Sequence, residues 1–342
     1  LCPGRDVIEL DRRNKALHAI DTSTQVGVEV GPLDRPLIPR GSGIVYYVDH
    51  ADTSTLRSSY KDDPSISNED IVDVDFVWGE ERLNDLLASV APVDFVVASH
   101  VIEHVPDIVG WLNEVSQTLK DGGVLSLVVP DKRFTFDYFR DVSKPAGVVE
   151  AYFRGARHPS PGQVFDHYST VVFLEAEQAW SGKLGKPQRK FTDEIAWSMS
   201  EKAAAGEYVD VHCWVFTPGS FIEMLRDLVN LGLSDFSVQS YFATERNDNE
   251  FYVTLERLPR GASPEETLQL QLESLPVAED LDRANGASSG LRSGVVKQHE
   301  VACLRNLIRE QQRRIEELES SRWRVADLLR TVPRWFSSRL SK

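Results

Sequence analysis

"VGVEVGPLDRPLIPRGSGIVYYVDH", residues 26–50, holds two Val-, Ile- and Tyr-rich runs joined by a glycine–proline turn and a short connection. The runs 26–30 and 44–48 are mostly apolar without alternation, as strands covered on both faces are. Gly31 closes the first, and Asp49 closes the second 18 residues later. Nucleotide-binding α/β folds open in this way, usually with two or three glycines in the turn. This turn has one. A glycine there lets the backbone approach a ligand closely, because no Cβ intervenes. A carboxylate at this spacing suits a grip on ribose hydroxyls. A pyrophosphate, however, asks for a glycine-rich loop that opens directly into a helix. "GPLDRPLIPRGSG" has three prolines and leaves room for a single helical turn. The pattern therefore disfavours a nicotinamide dinucleotide and suits a ligand without phosphates.

Working outward, further strand-like runs occur at 71–76, 93–99 and 123–130, with helical periodicity at 80–90 and 107–123 between them. The second of these helices is expected to start after Pro106 and stop at Gly122-Gly123. Two more strands, "FSVQSYFAT" and "EFYVTLER", flank the polar turn "ERNDN" and read as a hairpin. Between Thr217 and Gly232 lies a helix with Thr217 as N-cap and Pro218 at its first position. Strand–helix alternation predicts an α/β fold with a doubly wound, mostly parallel sheet of seven strands. Residues 131–217 break the rhythm and read as an insertion covering the sheet's active edge.

The expected division is a domain over 1–257, a flexible linker over 258–295 with room for one short helix, and a helical tail over 296–342. Val301, Leu304, Ile308, Ile315, Leu318, Val325, Leu329 and Val332 follow a three-to-four repeat that suits a coiled coil, and so a homo-oligomer. Arg322, Arg324, Arg330, Arg334 and Arg339 beside Trp323, Trp335 and Phe336 suit contact with an anionic membrane surface or a membrane-bound partner. The formal net charge of −15 argues against a nucleic-acid partner. Cys2, Cys213 and Cys303 make neither a disulfide framework nor a zinc ribbon, which points to a reducing cytoplasm. The charged opening "LCPGRDVIELDRRNK" holds no signal-peptide core, and no apolar run approaches a membrane span.

Over "DFVVASHVIEHVPDIVGWLNEVSQTLKDGGVLSLVVPD", 94–131, the chain resembles class I S-adenosylmethionine (SAM)-dependent methyltransferases of the type 11 group. Glu103-His104-Val105-Pro106 and Leu119-Lys120-Asp121-Gly122-Gly123-Val124-Leu125 carry the likeness. The family's glycine-rich motif is reduced to Val28-Glu29-Val30-Gly31-Pro32, as in a branch often linked to surface-polysaccharide assembly. The resemblance implies a Rossmann-like fold with SAM as cofactor. It implies Glu29 and Gly31 near the methionine part, Asp49 at the ribose, Asp75 at the adenine amine, and His100 lining the site.

Methyl transfer to a hydroxyl needs a base beside the methyl group. His167 with Asp166, and His212 with Asp210, are the candidates, since an Asp–His pair orients the imidazole and raises its basicity. A divalent metal on Asp166, His167, Asp210 and His212 is conceivable but not expected. "HVIEH", 100–104, matches the inverted zinc-protease pattern. That chemistry needs a helix, whereas His100 follows a strand and Pro106 follows His104 closely, so His104 reads as packing the loop. Lys132 and Arg133 stand where a phosphate or acidic sugar would bind, and Tyr168 and Trp214 where a sugar ring would stack. The expected activity is O-methylation of a sugar or glycan intermediate. Two rivals differ from it: a non-catalytic SAM-fold scaffold that recruits glycosyltransferases, and methylation of a small natural product or lipid.

Overall fold

A computed structural model describes residues 11–182, 185–259 and 263–283. The expected coiled coil, its basic–aromatic end and the rest of the tail lie outside the described residues, as do Cys2 and Cys303. After a helix over residues 11–16 (α1), the chain runs β1 (Val26–Val30), β2 (Ile44–Asp49), α2 (Thr53–Ser59), β3 (Phe76–Val77), α3 (Leu83–Leu86), β4 (Val93–Ser99), α4 (Ile108–Thr118) and β5 (Leu119–Pro130). Helices α5 (Pro145–Arg154), α6 (Pro161–Thr170), α7 (Ala176–Trp180) and α8 (Asp193–Ala204) follow within the 131–217 segment. Then come α9 (Pro218–Asn230), β6 (Phe236–Phe242), β7 (Glu250–Arg257), α10 (Pro264–Ser274) and α11 (Ala278–Arg283).

The strands form one seven-stranded sheet in the order β3-β2-β1-β4-β5-β7-β6. All pairs are parallel except β5–β7 and β6–β7. Chain order reverses between β1 and β4, which puts the ligand crevice of such a sheet outside their carboxyl ends. Because β7 is antiparallel, its first residue, Glu250, stands at that same edge. The strand interiors are closed on both faces: Tyr47, Phe95, Val97 and Val128 lie in one buried cluster with Leu37 and Ile38 of the β1–β2 loop, and Val28, Val30, Val96 and Ala98 between them are buried as well.

Capping follows the residue types. Thr217 and Ser220 form a reciprocal capping box at the start of α9, with Pro218 in the first turn. Asp107 caps α4 through the Gly110 amide. Helix α4 ends at Thr118, before the glycine pair, because Leu119 already pairs with Val93 as strand. The expected third strand, 71–76, shortens to Phe76–Val77. Upstream of it the backbone bonds instead to the Leu33 carbonyl through Val72 and to Thr53 Oγ1 through Val74. No helix forms in the β1–β2 connection.

The expected flexible linker needs correction over 264–283. Helices α10 and α11 fill that span, and Leu268, Leu272, Leu275, Ala278 and Leu281 are buried. Asp282 accepts from the Gly219 amide (3.0 Å) and Thr217 Oγ1 (2.9 Å), so α11 is tied to the first turn of α9. No helix among the described residues is long and apolar enough to cross a membrane.

Candidate functional site

At the end of β1, Gly31 takes φ +68°, and a Cβ there would lie 3.0 Å from Val101 Cγ2 on the far side of the crevice. Both the left-handed backbone and the tight approach favour glycine. The loop it starts is held from below by Glu29, whose oxygens accept from the Leu37 (2.7 Å) and Ile38 (3.0 Å) amides. Glu29 is buried, and burial raises its carboxyl to about 7 despite those two bonds. Both its oxygens are thus engaged in shaping the loop.

Asp49 ends β2 at the crevice and is buried. Its Oδ1 accepts from the His50 amide and lies 2.8 Å from His50 Nδ1, while Oδ2 takes no hydrogen bond from the described residues. One oxygen is therefore free for a ribose hydroxyl. Asp75 sits elsewhere than expected. It precedes β3, and its Oδ2 accepts from the Tyr47 amide and pairs with Arg40. The residue that follows β3 beside Asp49 is Trp78, half-buried, whose amide donates to the Asp49 carbonyl at 2.7 Å. A strand-end Gly, a buried acid with a free oxygen and an indole fit a phosphate-free nucleoside such as that of SAM.

Across the crevice, His100 follows β4 with φ +54°, an uncommon conformation for a residue with a Cβ. Its Nε2 donates to Glu250 Oε2 (2.8 Å), and its Nδ1 lies 3.4 Å from Glu103 Oε1. Burial pushes the imidazole down, but the bonds and charges of Glu103 and Glu250 outweigh this and raise it to about 10. Arg12 reaches the other oxygen of Glu250 (2.8 Å) and Ser99 Oγ (2.6 Å). His100 is thus a cationic tie between β4 and β7.

The 131–217 segment closes on this edge. Its ends meet where Asp131 bridges Phe216, and the Cys213 and Trp214 amides donate to the Glu103 carbonyl at 2.7 and 3.1 Å. The expected Asp–His pairs re-form with other partners. His212 Nδ1 donates to Asp137 Oδ2 (2.6 Å), and Asp137 also takes Arg140 Nη1 (2.9 Å). Asp210 accepts instead from His104 Nδ1 (2.8 Å) and from the Tyr208 hydroxyl (3.3 Å). Asp166 pairs with Arg140 Nε (2.8 Å) and leaves His167 alone. His167 Nδ1 is buried without a partner, and burial, with the Arg140 charge, depresses this imidazole to about 3. Burial disfavours ionised Asp137 and Asp210, but their imidazole partners prevail and hold each near 2.

The histidines His104 and His212 stand edge to face, with ring centroids 4.7 Å apart. Neither His104 nor Glu103 stood out as a functional residue in the sequence, although both lie in the "HVIEH" stretch, which is a turn here and not a helix.

The expected acceptor-binding residues are mostly committed to structure. Arg133 grips Asp131 through Nε and Nη2 and donates Nη1 to the Asp282 carbonyl. Lys132 Nζ donates to the Tyr138 carbonyl at 2.9 Å. Trp214 is buried and donates Nε1 to the Val105 carbonyl at 2.7 Å, so its ring is core. Tyr168 is half-buried against Phe191, with centroids 4.8 Å apart.

Residues 41–228 match the family described as "Methyltransferase domain". Among curated proteins nothing matches. Among solved structures, a candidate SAM-dependent methyltransferase from Listeria monocytogenes is similar at 13% identity, covering 75% of this chain and 99% of that one, with a TM-score of 0.39. A SAM-dependent methyltransferase from Aquifex aeolicus is similar at 13% identity, covering 75% and 94%, with a TM-score of 0.36. Magnesium protoporphyrin IX methyltransferase from Synechocystis PCC 6803, with bound S-adenosylhomocysteine, is similar at 10% identity, covering 74% and 84%, with a TM-score of 0.34. The sequence match spans more than half of the chain, from the end of the β1–β2 loop through most of α9, and by it this chain belongs to the methyltransferase-domain family, with SAM as its cofactor.

Proposed function

We propose that the chain O-methylates a small hydroxylated acceptor, a sugar or glycan intermediate, at the mouth of the β1–β4 crevice. The observation that carries this reading is the pair of carboxylate-backed imidazoles, His212–Asp137 and His104–Asp210, where the 131–217 segment closes on β4. A hydroxyl is a poor nucleophile until its proton is taken, and such a pair takes it.

When bound, SAM supplies an activated methyl group, and its transfer to the acceptor oxygen leaves S-adenosylhomocysteine. Asp49 Oδ2 holds the ribose, Gly31 lets the strand end lie close to the nucleoside, and Trp78 covers the adenine. Asp137, bonded to Nδ1 of His212, fixes the tautomer in which Nε2 carries the lone pair. His212 Nε2 accepts the hydroxyl proton as the O–C bond forms. His167 is left neutral by burial and the Arg140 charge, beside Phe136, and serves as a wall of the acceptor pocket more than a base.

Incubation with methyl-labelled SAM and a panel of sugars, nucleotide-sugars, amines and thiols tests this. The expected result is an oxygen-linked methyl product, lost in His212→Ala, with SAM binding by calorimetry kept in that variant and lost in Asp49→Ala. Product on nitrogen or sulfur only, or full transfer by His212→Ala, would overturn it.

A further inference from the structure

We propose that Glu103, His104 and His212 form a binding site for one divalent transition-metal ion. One donor atom from each, two imidazole nitrogens and a carboxylate oxygen, lie within 4.8 Å of one another. Their Nδ1 atoms are already spoken for by Asp210 and Asp137, at 2.8 and 2.6 Å. That leaves Nε2 as the free donor of each ring. A carboxylate behind an imidazole is the usual support of a metal-binding histidine, because it fixes the ring and strengthens the nitrogen opposite. Here both histidines have one.

A second, independent observation is Glu103 itself. It is fully buried, and neither carboxylate oxygen receives a hydrogen bond of good geometry, the contact with the cationic His100 ring being long. A buried carboxylate without donors is costly. The nearest ring nitrogens are His100 Nδ1 at 3.4 Å and His212 Nε2 at 4.0 Å, both beyond good hydrogen-bond length to Glu103 Oε1. An ion between Glu103 and the two rings would satisfy it. The scaffold is fixed: the Glu103 carbonyl takes both the Cys213 and Trp214 amides, so the β4 loop and the 210–214 segment cannot slide past each other.

Two imidazoles with one carboxylate suit zinc, cobalt, manganese or iron(II) over the all-oxygen preference of magnesium and calcium. Three protein ligands leave positions open for an exogenous oxygen. The site draws on different residues from the set the sequence suggests, sharing only His212 with it. With an ion bound, His212 Nε2 would be a ligand in place of the base, the ion would polarise the acceptor hydroxyl, and the hydroxyl proton would pass to solvent water as the O–C bond forms. This role rests on the methyl-transfer reading above; ion binding does not.

The test is a titration of the full, chelator-treated chain with Co²⁺, followed by visible absorption, with Zn²⁺ binding measured by calorimetry. The expected result is one equivalent bound with a ligand-field band. Binding should fall roughly a hundredfold or more in His104→Ala and in Glu103→Gln. His104 has a side chain 30% exposed, so its variant keeps the fold, checked by an unchanged thermal midpoint. Asp210→Asn, which touches no ion, should weaken binding by roughly ten- to a hundredfold. Absence of stoichiometric binding, or equal binding by wild type and both ligand variants, overturns the proposal. If methyl transfer is found without ion binding, only this site falls; if the ion binds and no acceptor is methylated, only the proposed reaction falls.

Discussion

On the β1–β3 side of the crevice the buried acids Glu29 and Asp34 receive backbone amides, Glu29 from Leu37 and Ile38 and Asp34 from Ser67, and exposed Asp75 adds the Tyr47 amide to its Arg40 pair. On the β4–insertion side the acids, buried Asp137 and Glu250 and exposed Asp210, receive side chains: Asp137 from His212 and Arg140, Glu250 from His100 and Arg12, Asp210 from His104. The donors differ in what they can do. A backbone amide cannot give up its proton, so the first group fixes where the chain runs. An imidazole can pass a proton on whereas a guanidinium cannot, so His104 and His212 of the second group are fit for chemistry as well as for shape, while His100, Arg12 and Arg140 are ties. One side of the crevice is built to present a surface, the other to move charge.

The sharpest way to break this contrast is Asp137→Asn. Asp137 and Arg140 are each only 2% exposed in their side chains, and removing one partner leaves the other charge buried. A loss of about 3–5 kcal/mol is expected from urea unfolding at pH 7. A loss below about 1 kcal/mol would mean that Asp166 alone satisfies Arg140 and that the pair is not a structural centre.

Next in size is an opposite response to pH on the two sides. The Glu29 carboxyl is raised by burial, from 4.5 to about 7. The folded chain therefore holds that proton where the unfolded chain has lost it, and this stability, full below about 4.5, drains away as pH rises to 7. Asp137, Asp210 and Glu250 are lowered to about 2, so their contribution is full above the usual carboxylate range and drains as pH falls toward 2. Glu29→Gln should flatten the wild-type decline between pH 4.5 and 7, a change on the order of 2–3 kcal/mol across the window, and leave the acid limb unchanged. Chemical unfolding at several pH values reads both limbs, and an unaltered slope in the variant would place the titrating group elsewhere.

Smaller again is Gly31→Ala. The left-handed backbone alone costs an alanine about 1–2 kcal/mol, and the added Cβ presses on Val101 Cγ2 at 3.0 Å. Unfolding should show a loss of that size, and calorimetry should show weaker SAM binding. A variant with intact SAM affinity would show that this strand end does not touch the nucleoside.

How much of this was legible beforehand divides along the same line. The runs at 26–30, 44–48, 93–99 and 123–130 became strands because neighbours cover both their faces, and unbroken apolar sequence reports that directly. The run 71–76 misled because its Val and Ile content reads as a strand, whereas its Val72 and Val74 amides bond to a loop carbonyl and a threonine side chain. The pairs Asp166–His167 and Asp210–His212 misled for a geometric reason. Adjacent residues on a helix point about 100° apart, so Asp166 turns to Arg140 while His167 turns inward. Asp210 and His212 do approach one site, but each meets a carboxylate or imidazole brought from another element. Glu103 and His104 lie in the "HVIEH" pattern, set aside because it is no helix, but they meet His212 across more than a hundred residues of chain, and that closure leaves no local pattern.

The mildest test asks whether the charge-moving side works through orientation and not through stability. Asp210 has a side chain 59% exposed, so its ion pair with His104 is solvated and worth little to folding. Asp210→Asn should therefore shift unfolding by less than about 1 kcal/mol. The His104 imidazole should respond all the same. Burial pushes it down, but the hydrogen bond and charge of Asp210 now raise it above the ordinary histidine value. Without that carboxylate it should titrate lower, which NMR of the ring protons would record. Methyl transfer should fall with it, because an imidazole free to rotate no longer holds its Nε2 toward Glu103 and His212. An unchanged His104 titration with unchanged turnover would show that Asp210 merely decorates the surface, and the contrast between the two sides would then rest on Asp137 and Glu250 alone.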